Sequence, residues 1–346
     1  MRSRGEPQEG SAAMSQAARP LGRTAFALLR AIGSRRGRRA LVLGARRLAV
    51  EAFRISLLVG ISFVILYPLL IKLSSSLMLE EDVMDPTVFW LPKTATLHNY
   101  RLVVRIMDYW TNALNSLKLA LLVSATQVAS CTLAGYGLAR FRFGLNRVLF
   151  GVAIFSLVVP PQLVTIPLYF NFRYFDPLGL LPGKGVNLLS GVLPFLLTSG
   201  TCTGFRNGLY VYIMRQVFKS MPVDLEDAAS VDGAGYLRTF LQIMLPGATS
   251  AILVTFVFSF VWQWNDVFYT RFFMPNARVL PVALEWFPQY FADWYIAEHA
   301  GLIAMPRYRS AVSDAAMLLF VAPVLVVYLC LQRYFKESID RTGLVG

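Results

Sequence analysis

Leu225–Pro246 reads LEDAASVDGAGYLRTFLQIMLP, the longest polar interruption in the second half of a hydrophobic chain. Its residues predict two short helices around a glycine turn. Asp224 is expected to be the N-cap of a helix over Leu225–Val231, with Glu226 and Asp227 in the first turn, where the helix dipole favours acids. Ala228 and Ala229 give that helix a small-residue face that another surface can approach closely. Asp232-Gly233 supplies the turn, because glycine accepts a left-handed backbone without steric cost. A second amphipathic segment, Tyr236–Met244, runs to Pro246. A helix pair of this kind between apolar runs reads as a docking element and not as packed core.

The chain has 346 residues, of which 56% are hydrophobic and only 15% charged, and its mean hydropathy is +0.53. A soluble domain of that size cannot hide so much apolar surface, so the expected class is an all-α, polytopic membrane protein. A net charge of +13 by itself would suit nucleic acid. The distribution argues otherwise. Eleven arginines fall within residues 2–47 against two acids, Glu6 and Glu9, without a stripe of base-stacking aromatics. Residues 1–50 therefore read as a basic cytoplasmic arm facing anionic lipid, with no nucleic-acid partner. No cleavable signal peptide is expected, since the first apolar run starts near Ile55 and is long enough to span; Met14 is an alternative start to Met1.

A helix needs about 20 apolar residues to cross a bilayer. Six runs qualify, roughly 55–77, 113–138, 148–170, 189–214, 249–269 and 311–332. Basic residues set the orientation. The 139–147 loop carries Arg140, Arg142 and Arg147 with no acid, the 215–246 loop Arg215, Lys219 and Arg238, and the end of the chain Arg333, Lys336 and Arg341. An opposite loop holds Glu80, Glu81, Asp82 and Asp85. The positive-inside rule then places both termini and the 215–246 loop in the cytoplasm, although 270–310 carries four arginines on the outside. The organisation expected is an arm over 1–50, a first span with an external segment over 51–112, a core with five spans over 113–335, and a cytoplasmic tail over 336–346. The outer aromatics Trp286, Tyr290, Trp294 and Tyr295 suit an interfacial belt or a surface that receives an external protein.

Reactive constellations are not found. Cys131, Cys202 and Cys330 lie far apart in apolar runs and read as small buried hydrophobes. His98 and His299, the only histidines, belong to no HExxH-like motif, so neither a metal centre nor catalytic residues are expected. Gly179–Gly185, GLLPGKG, lacks the spacing and hydroxyl of a phosphate-binding loop and reads as a turn. Arg206 sits within the fourth apolar region, either lining a wet cavity or resting on backbone broken by glycines. Gln263, Asn265 and Asp266 cluster at the end of the fifth span, where they can meet sugar hydroxyls or cross-link helices. Apart from Asp266, carboxylates for a gradient-driven secondary transporter are not apparent, and an intramembrane enzyme lacks paired acids and histidines on one face.

Several ordered motifs give a resemblance. Asp227-Ala228-Ala229, then Gly233, then Ile243-Met244-Leu245-Pro246 fall at the spacings of a signature that runs Glu-Ala-Ala, three residues, Gly, nine residues, Ile-x-Leu-Pro. Asn115-Ser116-Leu117-Lys118, Gly135–Phe141, Pro160 to Pro167, Arg215–Phe218, Trp262–Asp266 and Gln332–Phe335 accompany it. From about Asn99 to Gly346 the chain resembles the permease subunits of binding-protein-dependent ABC importers, within the carbohydrate-uptake group and on the side of the maltose permeases. The resemblance implies the six-span permease fold of that family and no ATPase activity or cofactor of its own, with ATP and magnesium held by partners. Those partners would be a second, different permease subunit, two ATP-binding cassette subunits and an external solute-binding protein, in a bacterial or archaeal cytoplasmic membrane. It further implies that Glu226, Asp227, Ala228, Ala229, Asp232, Gly233, Leu245 and Pro246 couple the spans to the ATPase, and that the solute is a sugar or oligosaccharide, alternatively a polyol or glycerol phosphate. Two departures stand out. The leading acid is Asp227 in place of Glu, one methylene shorter, with Glu226 beside it, and the first 50 residues are longer and more basic than the family requires.

Overall fold

The computed structural model describes residues 35–88, 90–180 and 185–343. Both candidate starts, most of the basic arm, the middle of the GLLPGKG turn and the last three residues of the tail lie outside the described residues. The chain divides into two units, Met1–Leu70 and Ile71–Gly346. A single helix, α1 (Arg35–Ser76), accounts for the described part of the first unit and enters the second. The second continues as α2 (Glu80–Met84), α3 (His98–Ile106), α4 (Tyr109–Arg140), α5 (Asn146–Val158), α6 (Pro161–Arg173), α7 (Leu193–Gly200) and α8 (Asn207–Ser220). Then come α9 (Asp224–Val231), α10 (Tyr236–Thr239), a π turn (Phe240–Met244), α11 (Leu245–Gly247), α12 (Thr249–Trp264), α13 (Phe268–Phe273), α14 (Leu280–Glu298) and α15 (Pro306–Gly343).

The all-α polytopic expectation holds, but the six single spans do not all form. Arg46–Ser76, Tyr109–Arg140 and Pro306–Gln332 are individually long and apolar enough to cross a bilayer. Two bent pairs bring the number to five if each pair is one span: Asn146–Val158 with Gln162–Arg173, turned by 110°, and Tyr236–Gly247 with Thr249–Trp264, turned by 75°. The first bend falls at Pro160-Pro161, where the ring forbids continuation of the preceding helix. The fourth apolar region, 189–214, is broken into α7 and α8 by irregular backbone over 201–206. Cys202 (φ 57°) and Arg206 (φ 68°) take left-handed conformations there.

Helix α4 is the central element, packed against α8, α12, α7, α14 and α3. Small residues permit the closest crossings, as in other membrane bundles. A Cβ at Gly135 of α4 would lie 2.6 Å from Met214 Cβ and 2.9 Å from Arg215 N, and one at Gly208 of α8 would lie 2.2 Å from the Ala153 oxygen of α5. At one end of the bundle, Leu102, Val103, Phe260, Trp264, Phe287, Phe291 and Val312 form the main core. At the other, Tyr136, Met214, Phe218, Phe240, Met244 and Ala248 form a second cluster beneath the polar loop. Fully burying Phe218 or Met214 contributes about 1.5–3 kcal/mol each relative to exposure.

Several resemblance motifs are structural ties. Leu280 N donates to Ser116 Oγ at 2.7 Å and Asn115 Nδ2 to the Arg278 oxygen at 2.9 Å, joining α4 to the start of α14. Trp264 Nε1 donates to the Phe320 oxygen at 3.2 Å, joining α12 to α15. The aromatic 270–310 segment is largely helical; Trp286 and Tyr290 are exposed, whereas Tyr295 is buried and donates to Glu80 Oε1 at 2.8 Å. Of the cysteines only Cys131 is buried; Cys202 is half-buried and Cys330 exposed.

Candidate functional site

The polar loop is built as a helix, a glycine closure and a second helix, with one difference at its start. The helix begins at Asp224, which leaves Val223 in the N-cap position after Pro222, with angles that are already helical (φ −66°, ψ −30°). Asp224 is the first helical residue and not the cap, which corrects the expectation that Asp224 caps the helix. Glu226 and Asp227 still occupy the first turn, their amides donating to the Val223 oxygen at 2.8 and 3.1 Å. At the far end Gly233 has φ +77°. Its amide donates to the Ser230 oxygen at 3.0 Å and the Ala234 amide to the Ala229 oxygen at 2.9 Å, a left-handed closure that satisfies the last carbonyls of α9. The π turn over Phe240–Met244 sits immediately before Leu245-Pro246, where the proline nitrogen cannot donate to the preceding turn.

The two adjacent acids have different surroundings. Glu226 faces the bundle: its Oε1 accepts from Tyr136 Oη at 3.1 Å and lies 3.4 Å from Arg140 Nε. The second contact is an ion pair without hydrogen-bond alignment, since Arg140 Nε is buried and has no hydrogen-bond partner among the described residues. Arg140 Nη2 donates to the Met221 oxygen at 2.8 Å, one residue before Pro222. Asp227, Ala228, Asp232, Gly233 and Pro246 are exposed, Leu245 is half-buried, and Ala229 is 3% exposed. Beside them Val231, Tyr236 and Leu237 are 88%, 79% and 70% exposed. Large apolar side chains gathered on a polar loop mark an interaction surface.

A cavity of about 390 Å³ opens at the break between α7 and α8. It brings together Arg206, Trp262, Gln263, Asn265, Asp266 and Tyr269. The Arg206 guanidinium lies over the Trp262 ring, 3.0 Å from its centroid, and among the described residues it has no ion pair. Asp266 accepts from the Tyr269 and Thr270 amides at 3.2 and 2.8 Å and from Thr270 Oγ1 at 2.8 Å, capping α13. Asn265 Nδ2 donates to the Val261 oxygen at 2.7 Å within its own helix. Gln263 Nε2 is buried without a partner among the described residues. Among the described residues the bonds of Asn265 and Asp266 are thus local.

Helix cross-linking is done instead by Gln127, which sequence reading passed over. Its Nε2 donates to the Phe205 oxygen at 3.1 Å and to Asn207 Oδ1, and its Oε1 accepts from Ser259 Oγ. This joins α4 to the broken backbone and to α12. A lone glutamine in an apolar helix was the available signal. Asp314 was also passed over: it is a carboxylate inside the sixth apolar run, paired with Lys72. Asp266 is therefore not the sole acid at span depth.

Comparison with known proteins adds independent findings. Residues 131–341 match the family described as "Binding-protein-dependent transport system inner membrane component". The chain is similar to the osmoprotective compounds uptake permease protein GgtD of Synechocystis, at 30% identity over 289 residues (81% of this chain, 87% of GgtD). It is also similar to the diacetylchitobiose uptake system permease protein NgcG of Streptomyces coelicolor, at 28% identity (83% of this chain, 86% of NgcG). The sn-glycerol-3-phosphate transport system permease protein UgpE of Salmonella typhi is 26% identical (82% of this chain, 93% of UgpE). A chain in the crystal structure of a bacterial ABC transporter that imports the acidic polysaccharide alginate shares the fold, with a TM-score of 0.63 at 22% identity, covering 87% of this chain and 98% of that one.

Proposed function

Since the chain belongs to the family of binding-protein-dependent transport system inner membrane components, we propose that it forms one half of a translocation pore for a hydroxyl-rich solute, with a different permease subunit as the other half. Members of this family are multi-pass subunits of ABC importers that lack catalytic activity and bind no cofactor. The energy source is therefore a separate ATPase.

The observation that carries the reading is the exposed tip of α9, held on a packed root. With the Arg-rich loops in the cytoplasm, α9 faces that side and Asp227, Ala228, Asp232 and Gly233 present a short acidic, small-residue surface to two ATP-binding subunits, one per permease half. Closure of the ATPase pair pushes on α9, and the second helix, ending at Leu245-Pro246, carries the push into α12. The bundle is then a two-state gate biased by its partner. A solute-binding protein delivers the solute from the opposite face.

The cavity supports the choice of solute. An indole face beside Gln263, Asn265 and Asp266 offers an apolar platform with donors and acceptors around it, which is the chemistry of a sugar ring. The names of NgcG and UgpE specify diacetylchitobiose and glycerol 3-phosphate, both polyhydroxylated. A phosphorylated polyol is the second reading, and Arg206 favours it, because its guanidinium has no ion pair among the described residues.

The test is uptake by proteoliposomes holding this chain, its partner permease, the ATPase and the solute-binding protein encoded beside it. Radiolabelled diacetylchitobiose, maltose and glycerol 3-phosphate are the probes. ATP-dependent, vanadate-sensitive uptake of one of them is expected. Uptake driven by an ion gradient and insensitive to vanadate, or turnover by the isolated subunit, overturns the reading.

A further inference from the structure

Helix α9 has eight residues, too few to be stable alone, since isolated helices below about 12–15 residues are marginal in water. Its covalent connections are soft at both ends. Met221-Pro222 is the extended entry, and Gly233 and Gly235 flank the exit. Something other than these two connections must hold it. The Ala229 methyl is buried beneath it, and among the described residues the Glu226 carboxylate bonds to α4, through Tyr136 and Arg140. Arg140 fastens the entry as well, through the Met221 oxygen. Tyr136 is itself fixed, its ring centroid 5.3 Å from that of Phe218 and 4.8 Å from that of Phe240.

We propose that Tyr136, Arg140 and Glu226 form a strut that transmits motion of α9 directly to the central helix α4, so that Glu226 is a positioning residue inside the subunit while Asp227 is the acid left for the ATPase. The inference rests on the permease reading and deepens it. Without the strut, a push on α9 is absorbed by rotation about Pro222 and Gly233. With it, the push reaches a 32-residue helix that packs on α7, α8, α12 and α14. The route is also economical in reach: α4 passes Gln127, which bonds Asn207, Phe205 and Ser259 at the rim of the cavity. Motion of α4 therefore moves the cavity wall.

The test uses the assembled complex in nanodiscs, with the three native cysteines replaced and nitroxide labels at Ala129→Cys on α4 and Leu325→Cys on α15. The readouts are capture of the ATPase subunits and the change in label separation between the nucleotide-free and vanadate-trapped states. Glu226→Ala is expected to keep ATPase capture within twofold of the unmutated chain and to lose most of the distance change. Tyr136→Phe, which deletes one hydroxyl and keeps the packing, is expected to lose part of it. The charge-swapped pair Arg140→Glu with Glu226→Arg is expected to recover part of the change, since the new carboxylate cannot donate to the Met221 oxygen, and a merely destabilised loop would recover none. A full distance change in Glu226→Ala overturns the strut, and so does a tenfold loss of ATPase capture in that variant, which would make Glu226 a docking contact. An unmutated complex that captures ATPase without moving α4 overturns it too. Failure of the unmutated chain to capture any ATPase refutes the underlying permease reading instead.

Discussion

Lys72 Nζ lies 2.6 Å from Asp314 Oδ1, joining two helices across 242 residues of sequence. Ser75 Oγ donates to the other carboxylate oxygen at 2.6 Å. The Asp314 side chain is 10% exposed and the Lys72 side chain 36%. Removing one partner of a buried pair leaves an uncompensated charge, which costs about 3–5 kcal/mol at full burial. The partial exposure of Lys72 puts Lys72→Met near the lower figure, roughly 3 kcal/mol. Asp314→Asn costs less, because the long lysine stem can carry its charge outward. Thermal unfolding of the purified subunit checks the order: Lys72→Met least stable, Asp314→Asn intermediate, and the double variant above Lys72→Met. A carboxylate tied in this way is also a poor ion-coupling group for gradient-driven transport.

Docking at α9 predicts a different phenotype from damage to its root. Ala228 is exposed on the small-residue face, so Ala228→Trp leaves the fold intact and blocks close approach by a partner. Capture of the ATPase is expected to fall at least tenfold in a pull-down, with unchanged membrane insertion. Gly233→Ala forces a side chain into φ +77° and costs about 1–2 kcal/mol of loop stability, read as faster amide exchange over 228–234.

How much of this was legible in the sequence follows from the range of the interactions. The loop was readable because its helix, closure and second helix depend on residues a few positions apart; the start shifted by one residue at Val223, and the second segment turns from α to π at Phe240. Glu226 and Asp227 could not be told apart, since neighbours on a helix point about 100° from each other and only α4 reveals which one is met. Hydropathy marked 189–214 as a span because it sums residues and is blind to a backbone break. The break is tolerated because Gln127 and Asn207 satisfy it, the latter donating to the Ser199 oxygen at 3.2 Å. Lys72 and Asp314 lie far apart in sequence, and only the fold pairs them.

Close helix crossings give the next prediction. The Gly208 Cβ position is 2.2 Å from a backbone oxygen of α5, which cannot move aside as a side-chain tip can. Gly208→Ala must spread α8 from α5, at about 1–3 kcal/mol by the usual cost of overpacking. Gly144→Ala, with nothing near its Cβ position, is the control. Yield and thermal midpoint after detergent extraction are expected to drop for the first and hold for the second.

The loop around Asp85 carries a pH signature. The Lys93 ammonium and the Thr87 hydroxyl and amide hold the Asp85 carboxyl well below its ordinary value of 3.8. Asp85 in turn raises Lys93 above its ordinary 10.5. A depressed acid stabilises the fold above its unfolded pKa, and that contribution is lost as the pH falls through the folded value. A raised lysine stabilises below 10.5 and loses its contribution as the pH rises through its folded value. The loop is therefore expected to be least exchange-prone between about pH 4 and 10, opening only outside that window, whereas in Asp85→Asn the acid-side opening disappears and the loop is looser at neutral pH. Amide exchange over 85–97, corrected for intrinsic rates, reads both limbs.

Arg206 separates the two readings of the solute. Its guanidinium stacks on Trp262, a contact worth about 0.5–2 kcal/mol, so it rests on the indole that a sugar ring would use. If the solute is anionic, Arg206 leaves the indole to pair with it, and Arg206→Gln loses a charge-assisted bond of about 1.5–3 kcal/mol. Uptake of glycerol 3-phosphate would then fall at least tenfold in apparent affinity, with ATPase capture unchanged. If the solute is a neutral sugar, the same variant frees the Trp262 face and the loss is threefold or less. Trp262→Ala discriminates in the opposite sense, since stacking matters most to the sugar ring. Binding-protein-stimulated ATP hydrolysis, measured in parallel, reports whether either change has reached beyond the cavity to α9. Equal behaviour of both variants toward every probe would remove the cavity from the solute path and leave translocation contacts to the partner permease.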